Sequence, residues 1–578
     1  MTKKKSRTSG GDRTFWDLTL DGWLRNMSAG GETADADNAD RYTQTYDGKN
    51  DDHKKESGHC GRMILAGGFG ETRNRAIAKA VGDRLPAWQK NWLERRQNEV
   101  LLFAESETPI WVLRPKSPKS SGKRPEKSSE KTSEKTPETE EKTDALRPSH
   151  HGLFAASEYH QARNLAGSIV PALVDAGISE LSIECLNASH SQVLGTLVGL
   201  ELGGYKYTRA RGPYPEGKLP RLTFSLSGSA GEVAAVREMA ATLGTSVNIA
   251  RHLVNIPAGE LHPESYASSV AGLFAGSKTT KVEIWDEERL RREKANLLLA
   301  VGQGAVNGAR LVHIKYRPAG KARLARPLAF VGKGVTFDTG GLDIKPSSAM
   351  RLMKKDMGGS AALVGLAWYL EHSGVDVPCD IWLALAENAV DQKSFRPGDV
   401  ITARNGLRVE IHNTDAEGRL VMADAMDVAV TREGTDAPLA LIDVSTLTGA
   451  MRVALGTTIG GILANDDRLA DEFVKLGQIW GDPLWRMPLF EDYKSTLRST
   501  FADIANASDS PFGGPITAAL FLQRFTKSVP WVHFDVFAWA DKISGGLNEI
   551  GGNGQPVQAL VGFVEACQPS WFAGGHKR

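Results

Sequence analysis

Two carboxylates and a guanidinium occupy alternate positions in one short stretch, residues 413–420. Asp415, Glu417 and Arg419 are each separated by a single residue, and side chains at positions i and i+2 of an extended segment point the same way. We therefore expect all three to face one pocket. Carboxylate oxygens are ligands that divalent cations prefer, and a guanidinium beside them binds an anion. The same pattern also occurs on solvated surfaces, so a metal site needs a second group of residues.

That second group lies upstream, in residues 327–362. The apolar run 328–331 predicts a buried strand, and Lys333 follows it between two glycines. The spacing of these residues does not fit a phosphate-binding P-loop. Asp338 and Asp356 are each followed by a glycine pair, which suits a backbone folded closely around a ligand. Asp356 also precedes a predicted helix, 360–372, so helix capping and metal binding are both open for it.

Three blocks in this order resemble the signature of the leucyl aminopeptidase family, the two-metal cytosolic aminopeptidases. They are 331–341 (Val-Gly-Lys-Gly-Val-Thr-Phe-Asp-Thr-Gly-Gly), 353–359 (Met-Lys-Lys-Asp-Met-Gly-Gly) and 413–420 (Asn-Thr-Asp-Ala-Glu-Gly-Arg-Leu). Flanking blocks also resemble the family: 248–261, 445–450, 515–522 and 531–535. The resemblance spans residues 231–564, with a weaker tail upstream.

The resemblance implies a role for each matched residue. Two divalent ions (Mn²⁺ or Zn²⁺, with Mg²⁺ also compatible) would activate a water, and their ligands would be Lys333, Asp338, Asp356, Asp415 and Glu417. Lys345 would stabilise the oxyanion, and Arg419 would hold a bicarbonate ion that carries the proton. The implied substrate-binding residues are Met353, Thr446, Leu447, Gly449, Phe537 and Ala540. Phe537 stands where a small residue is common in the family, which leaves a preference for leucine open.

Electrostatics gives a physical reason for the paired cations that the resemblance implies. Asp338, Asp356, Asp415 and Glu417 would bring about four negative charges together, and without cations their repulsion would raise their pKa values. The chain contains no His-Glu-x-x-His motif, so a zincin-type base is not expected. His412 lies beside the acidic motif, but we interpret it as a packing or hydrogen-bonding residue. The same interpretation applies to His533.

Composition excludes several function classes. The chain has 578 residues, 41% hydrophobic and 24% charged, with a formal net charge of +1. This balance gives no overall attraction to nucleic acid or to an anionic membrane. The four cysteines (Cys60, Cys185, Cys379 and Cys567) are far apart and predict reduced thiols. No apolar run approaches the ~20 residues that span a bilayer. The basic N-terminus lacks a signal-peptide core, so we expect the cytoplasm.

The chain is predicted to be an α/β protein in three parts. Residues 1–61 are a flexible polar tail, 62–229 a smaller N-terminal α/β domain, and 230–578 a larger catalytic α/β domain with a central mixed sheet flanked by helices. A low-complexity insertion, 116–149, interrupts the smaller domain, and its interleaved acids and bases argue against a nucleic-acid tail. The predicted catalytic strands are 328–331, 381–385, 439–444, 459–463 and 531–536, and the helices are 360–372, 420–431, 467–476, 516–526 and 556–566.

These observations predict a metal-dependent aminopeptidase that releases the N-terminal residue of peptides. The resemblance further implies a homohexamer. Two alternatives stay open: a dipeptidase or cysteinylglycine-type activity at the same site, and a DNA-binding or scaffold role of the kind found in some family members.

Overall fold

The protein is described by a computed structural model that covers residues 42–44, 59–66, 100–103, 110–113, 156–186, 188–207, 221–225, 230–527 and 529–572. The insertion 116–149 lies outside these residues, and so does the segment 73–96, whose sequence predicts a helix. The strands, β1 to β19 in chain order, are Tyr42–Gln44, His59–Ala66, Val100–Phe103, Ile110–Leu113, Ile178–Leu186, Arg221–Ser225, Thr280–Trp285, Arg310–Tyr316, Leu328–Asp338, Cys379–Asn388, Val400–Thr402, Arg408–Glu410, Leu441–Ser445, Gly460–Ala464, Leu484–Arg486, Ile504–Ala505, Trp531–Asp535, Trp539–Ala540 and Gly551–Gly552.

The described helices, α1 to α13 in chain order, are Glu158–Asp175, His190–Gly204, Ala230–Asn255, Pro263–Leu273, Glu287–Arg292, Asn296–Gly302, Ser347–Met350, Gly358–Ser373, Gly418–Val430, Gly449–Leu455, Asp467–Ile479, Gly514–Leu522 and Val557–Ala566. Short 3₁₀ helices are Met353–Lys355, Gly434–Asp436, Glu491–Leu497, Gln523–Phe525 and Pro569–Phe572. Among these helices, none combines the length and apolar character that crossing a bilayer requires.

The largest sheet in the described part of the chain has eight strands in the order β15-β14-β17-β13-β9-β10-β8-β7. Its centre is parallel, since β17, β13, β9 and β10 pair in that sense. The outer strands β14, β8 and β7 pair antiparallel with their inner neighbours. The predicted mixed sheet flanked by helices is therefore confirmed. The strands β7 and β8 were not predicted.

Apolar side chains cover both faces of this sheet. One core packs α3, α8, α11 and α13 against one face, with Phe330, Leu363 and Phe563 fully buried in it. The other core packs α6, α9 and α12 against the opposite face, around Val331 and Trp382. Buried parallel strands of this kind are apolar on both sides. The sequence of residues 420–430 predicts an amphipathic helix with one solvated face. In the structure all residues of α9 are buried, so the helix has no solvated face.

Strand β9 is longer than predicted and carries a bulge that matters for the site. The strand continues to Asp338, so Lys333 lies inside it and not beyond its end. Val335 pairs with Ala386 and Asp338 pairs with Asn388, so β9 advances three residues where its partner β10 advances two. One extra residue reverses the side-chain alternation. Lys333 and Asp338, which have opposite parity in the sequence, can therefore reach the same side of the sheet.

A second sheet precedes the large one, in the order β1-β6-β5-β2-β4-β3. Only β3 and β4 pair antiparallel among these strands. The helices α1 and α2 approach closely because Gly199 has no side chain: a Cβ there would lie 2.2 Å from Arg163 O. Arg163 Nη1 also donates to Gly481 O at 3.0 Å and to Gln558 Oε1 at 2.9 Å, which ties this part to the large sheet.

Two described strands lie in or begin in the predicted tail 1–61. Strand β1, Tyr42–Gln44, pairs with β6, and β2 begins at His59. The sequence predicts a helix over residues 151–176 in the smaller domain, and helix α1 begins at Glu158, where the Ser157 side chain accepts from His160 N and caps it. The three-part division of the chain stays a prediction.

Candidate active site

The site lies where the parallel strands end. Strand β9 ends at Asp338 and β13 ends at Ser445, on the same edge of the sheet. The helices α8 and α9, which pack on opposite faces, begin at this edge with Gly358 and Gly418. Ligand sites of open α/β sheets form at strand carboxyl ends. Helix N-termini there also carry partial positive charge, which favours nearby carboxylates.

Three of the predicted metal ligands meet directly. One carboxylate oxygen from each of Asp338, Asp415 and Glu417 lies within 4.8 Å of the others. Asp338 and Glu417 are buried, and Asp415 is partly exposed. The prediction that these side chains converge on one pocket therefore agrees with the geometry.

Two lysines lie among the carboxylates. Lys333 Nζ is 2.6 Å from Asp356 Oδ2 and 2.9 Å from Glu417 Oε1. Lys345 Nζ is 2.7 Å from Asp338 Oδ2 and also contacts Asp415. The two ammonium groups partly offset the acidic charge. The side chain of Lys333 is 3% exposed and that of Lys345 is 15% exposed, so Lys345 is the more open of the two.

The pKa values follow from burial and crowding. Burial together with the nearby Asp338 raises the pKa of Glu417 to about 8 and that of Asp415 to about 6. Burial opposes the charge of Lys333, but Asp356 and Glu417 outweigh it and hold the pKa of Lys333 above its usual range. Among these carboxylates Lys333 is therefore a cation, whereas the role that the resemblance implies needs its neutral form.

Asp356 faces the site and does not cap the following helix. Met357 occupies the N-cap position of α8 and makes no side-chain capping bond. Asp356 Oδ1 instead accepts from Thr446 Oγ1 at 2.7 Å, while Oδ2 faces Lys333. Of the two roles left open by the sequence, capping is thus excluded.

The loop after β9 is clamped to the loop that carries Asp415. Gly340 adopts φ +87°, a conformation that side chains disfavour. Its carbonyl accepts from Thr414 Oγ1 at 2.7 Å, and Thr414 N donates to Asp343 Oδ2 at 2.7 Å. Asn388 Nδ2 donates to Asp338 Oδ1 at 2.8 Å and to Thr414 O at 3.1 Å. These bonds orient Asp338 relative to the acidic motif.

The acidic motif is not extended. Glu417 has helical backbone angles (φ −72°, ψ −35°), and α9 begins at the next residue, so Arg419 lies in the first helical turn. Arg419 Nη1 donates to Asn506 O at 2.7 Å. Asn506 also holds the motif loop, because its Nδ2 donates to Asn413 O at 2.7 Å and its Oδ1 accepts from His412 N at 2.8 Å.

Gly418 is required for the position of Lys333. A Cβ at residue 418 would lie 2.6 Å from both Cε and Nζ of Lys333 and 2.8 Å from Leu447 Cδ1. Real Cβ atoms do not approach other atoms this closely. The glycine between Glu417 and Arg419 therefore makes room for the lysine side chain.

The predicted substrate-binding residues lie around the 3₁₀ helix Met353–Lys355, the start of α10 and the connection between β17 and β18. Thr446 is buried against Asp356, and Gly449 is exposed at the first position of α10. Ala540 is buried in β18. The ring of Phe537 lies 4.8 Å from Lys355 Nζ and 4.2 Å from the guanidinium carbon of Arg452.

Leu447 is one of the substrate-binding residues that the resemblance implies, and its backbone amide already has a partner. It donates to Asp535 Oδ1 at 3.0 Å, and Thr448 Oγ1 donates to Asp535 Oδ2 at 2.6 Å. Asp535 therefore holds the loop 446–448 in place. This leaves the carbonyl and side chain of Leu447 for contact with a ligand.

The two histidines that were set aside as ligands lie outside the acidic cluster. His412 Nε2 is 3.3 Å from Glu410 Oε2. His533 is fully buried and pairs with Asp443 at 2.7 Å. Three supporting residues were missed in the sequence: Asn388, Asn506 and Asp535. Isolated Asn and Asp residues give no local signal, because their partners are backbone groups far along the chain.

The donor set fits divalent metal ions. Asp356 Oδ2 and Glu417 Oε1 lie against Lys333, and Asp415 Oδ1 lies against Lys345, so each oxygen faces a cation and has no neutral hydrogen-bond donor among the described residues. Buried carboxylates of this kind need cations beside them, and their oxygens suit divalent ions. Arg419 Nε is likewise buried without a hydrogen-bond acceptor, which fits an anion beside it.

Comparisons with known proteins identify the family of this chain. The sequence model described as "Cytosol aminopeptidase family, catalytic domain" matches residues 248–561. A probable cytosol aminopeptidase of Leifsonia xyli subsp. xyli is 38% identical over 416 residues, which cover 70% of this chain and 82% of that protein. One from Stutzerimonas stutzeri is 41% identical over 337 residues, covering 58% and 66%.

Two solved structures resemble the whole fold. The bottromycin maturation enzyme BotP in complex with Mn is 27% identical, with a TM-score of 0.71, and the match covers 87% of this chain and 99% of that one. The cytosol aminopeptidase from Coxiella burnetii is 28% identical, with a TM-score of 0.68, and the match covers 91% and 99%. The family resemblance seen in the motif blocks is confirmed: this chain belongs to the cytosol aminopeptidase family and is a metalloaminopeptidase, a hydrolase.

Proposed function

We propose that this enzyme hydrolyses the N-terminal peptide bond of peptides with two divalent metal ions. The observation that carries the proposal is the meeting of Asp338, Asp415 and Glu417 within 4.8 Å in a buried site. Asp338, Asp415 and Glu417 would hold one ion. Lys333, Asp356 and the shared Asp338 and Glu417 would hold the other. Mn²⁺ or Zn²⁺ suits this mixed oxygen and nitrogen donor set, and Mg²⁺ is compatible with its oxygens.

When bound, two such ions polarise a substrate carbonyl and acidify a water. The protein residues then position and stabilise. Lys345 has the more exposed of the two ammonium groups, and it would donate to the oxyanion that develops during attack. Asp356 is oriented by Thr446, and Asp338 is oriented by Asn388. This prior orientation avoids reorganisation when the transition state forms.

Arg419 would bind bicarbonate, which acts as the proton carrier. Its Nη1 is held by Asn506 O at 2.7 Å, while its Nε is buried without an acceptor. Burial lowers the pKa of Arg419 to about 10, so it stays protonated at neutral pH. A fixed guanidinium with a free N–H can bind a planar oxyanion. No protein carboxylate or imidazole is needed as the general base in this scheme.

The proposal also includes assembly and location. The family resemblance is what supports a homohexamer, and Val453, Phe501 and Phe512 are large apolar side chains exposed by 88%, 73% and 81% that a subunit interface could cover. We expect a homohexamer in the cytoplasm. Sedimentation equilibrium of the purified chain tests the assembly, and a monomer at micromolar concentration would contradict it.

Hydrolysis of aminoacyl arylamides tests the activity. The purified protein should release the arylamine from an unblocked leucyl substrate after addition of Mn²⁺ or Zn²⁺. It should be inactive in excess chelator and inactive on the N-acetylated substrate, because a free α-amine is required. Equal hydrolysis of blocked and free substrates would contradict an aminopeptidase.

A further inference from the structure

Lys355 is a buried cation that the proposed chemistry does not use. It is 6% exposed and follows Met353 and Lys354 at the end of a 3₁₀ helix. Its ammonium group makes no hydrogen bond or ion pair with any other residue that the structure describes. Its Nζ lies over the ring of Phe537, 4.8 Å from the ring centroid. A buried ammonium without an anion is unfavourable, so this position calls for a negatively charged partner.

The nearest carboxylates are already engaged. Asp356 Oδ1 accepts from Thr446, and its Oδ2 faces Lys333 at 2.6 Å. Both oxygens of Asp535 accept from the loop 446–448. Neither side chain comes within ion-pair distance of Lys355. The charge of Lys355 is thus available to a ligand.

The surroundings indicate where that ligand would lie. Phe537 and Met353 belong to the proposed side-chain pocket, and the Phe537 ring contacts Arg452 as well as Lys355. Arg452 is paired with Asp541 at 2.8 Å, and both are partly exposed. The Phe537 ring therefore has two cations against it, and a substrate side chain bound beside this ring would lie near both. A basic N-terminal side chain would meet repulsion there, and an acidic one would meet an unpaired ammonium.

We infer that Lys355 is a specificity-determining residue that binds the carboxylate of an N-terminal glutamate or aspartate of the substrate. This inference rests on the proposed aminopeptidase function and adds its substrate class. The ring face of Phe537 attracts the Lys355 ammonium, and a ring at this position leaves less room for a large apolar side chain than the small residue that is common in the family.

The test measures kcat/KM for glutamyl, aspartyl, leucyl and lysyl arylamides with Mn²⁺, for the parent enzyme and for Lys355→Met. Methionine preserves length and apolar packing but removes the charge. The glutamyl-to-leucyl ratio should fall at least tenfold in Lys355→Met, and the lysyl substrate should improve relative to leucyl. Lys354→Met is the matched control, because Lys354 Nζ instead donates to Asn255 O at 2.8 Å. It should leave the ratio within twofold of the parent.

A second arm separates two sources of the carboxylate. Leucylglycine and leucylglycinamide differ only in the C-terminal carboxylate. Lys355→Met could change the ratio of kcat/KM between leucylglycine and leucylglycinamide and leave the glutamyl-to-leucyl ratio unchanged. That result would overturn the inference that Lys355 binds the carboxylate of the N-terminal side chain. An unchanged ratio in both pairs, with leucyl hydrolysis intact, overturns the inference while the proposed function stands. Absence of hydrolysis on every substrate overturns both.

Discussion

Lys333 Nζ lies 2.6 Å from Asp356 Oδ2, and both side chains are almost fully buried. The lysine comes from the middle of β9 and the aspartate from the segment before α8. Their pairing places an ammonium group between buried carboxylates, since Lys333 Nζ also lies 2.9 Å from Glu417 Oε1. Removing one member of such a buried pair leaves an uncompensated charge. The buried carboxylates of this site therefore require cations beside them, either lysine ammonium groups or divalent metal ions.

Glu417→Gln tests the shared ligand. The side chain is 1% exposed, and its carboxylate is proposed to contact both ions. An amide of the same shape cannot supply that charge, so turnover should fall by roughly three orders of magnitude. Because Lys333 keeps its pairing with Asp356 at 2.6 Å, the chelated variant should stay folded, with a thermal stability close to that of the parent. Arylamide hydrolysis and differential scanning fluorimetry check both statements. Turnover at the parental rate would remove Glu417 from the metal site.

Gly418→Ala separates helix propensity from active-site geometry. Alanine at the start of α9 should favour the helix by up to ~1 kcal/mol, but its Cβ would meet Lys333 Cε and Nζ at 2.6 Å. We expect kcat/KM to fall roughly 10- to 100-fold as the lysine is displaced. Gly272→Ala is the control, since Gly272 lies in α4 and a Cβ there has nothing within 4 Å. If both variants keep parental activity, the close approach of residue 418 to Lys333 is not needed for catalysis.

Arg419→Met tests the anion site. Removing the guanidinium should lower kcat by roughly 10²-fold, a typical contribution of general acid–base catalysis. Added bicarbonate should stimulate the parent and leave the variant unchanged. Arg408→Met provides the control, because Arg408 is an exposed arginine that pairs with Asp503 at 2.9 Å. Equal stimulation of Arg419→Met and the parent would place the bicarbonate elsewhere.

His252 predicts part of the acid sensitivity of the fold. It is buried in α3 beside Tyr205 and Tyr207, and burial lowers its pKa to about 3. In the unfolded chain this histidine takes up a proton as the pH falls through 6.5, whereas in the native chain it stays neutral. The contribution of neutral His252 to the free energy of unfolding is therefore complete above pH 6.5 and is lost as the pH falls. Between pH 7 and 5 this single group should lower the free energy of unfolding by about 2 kcal/mol.

His252→Gln should remove that contribution. Urea unfolding of the full chain at pH 7 and pH 5 measures it, with the variant losing about 2 kcal/mol less than the parent. His160 also has a lowered pKa, of about 4, because of burial and the nearby Arg163, and it remains in both proteins as a shared background. The same pH dependence in both proteins would contradict a buried neutral His252.

The convergence of Asp338, Asp356, Asp415 and Glu417 could be predicted from the sequence, because glycine-rich turns and matched motif blocks carry these residues. The mixed sheet was also predictable, since its central strands are continuous apolar runs. The length of β9 was not. Its Gly-Lys-Gly segment has low strand propensity. Close packing against α8 keeps this segment in the strand, since a Cβ on Gly332 would lie 2.7 Å from Ser360 Cα.

The supporting hydrogen bonds could not be predicted at all. Asn506 acts on a loop 93 residues earlier in the chain, and Asp535 on one 88 residues earlier. Neither has a pattern that distinguishes it from a surface residue. The extended form expected for the 413–420 segment was wrong for a related reason, since bonds from Asn506 and Asp343 hold it in a turn. Partners distant in the sequence set its conformation.

The most direct test of the central claim is the number of divalent ions that the active enzyme binds. Chelated protein would be titrated with Mn²⁺ while bound metal, by equilibrium dialysis, and leucyl arylamide hydrolysis are followed together. The two-metal account predicts two ions per chain at saturation and turnover that appears only as the second site fills. Full turnover with one ion per chain, or in excess chelator, would contradict it.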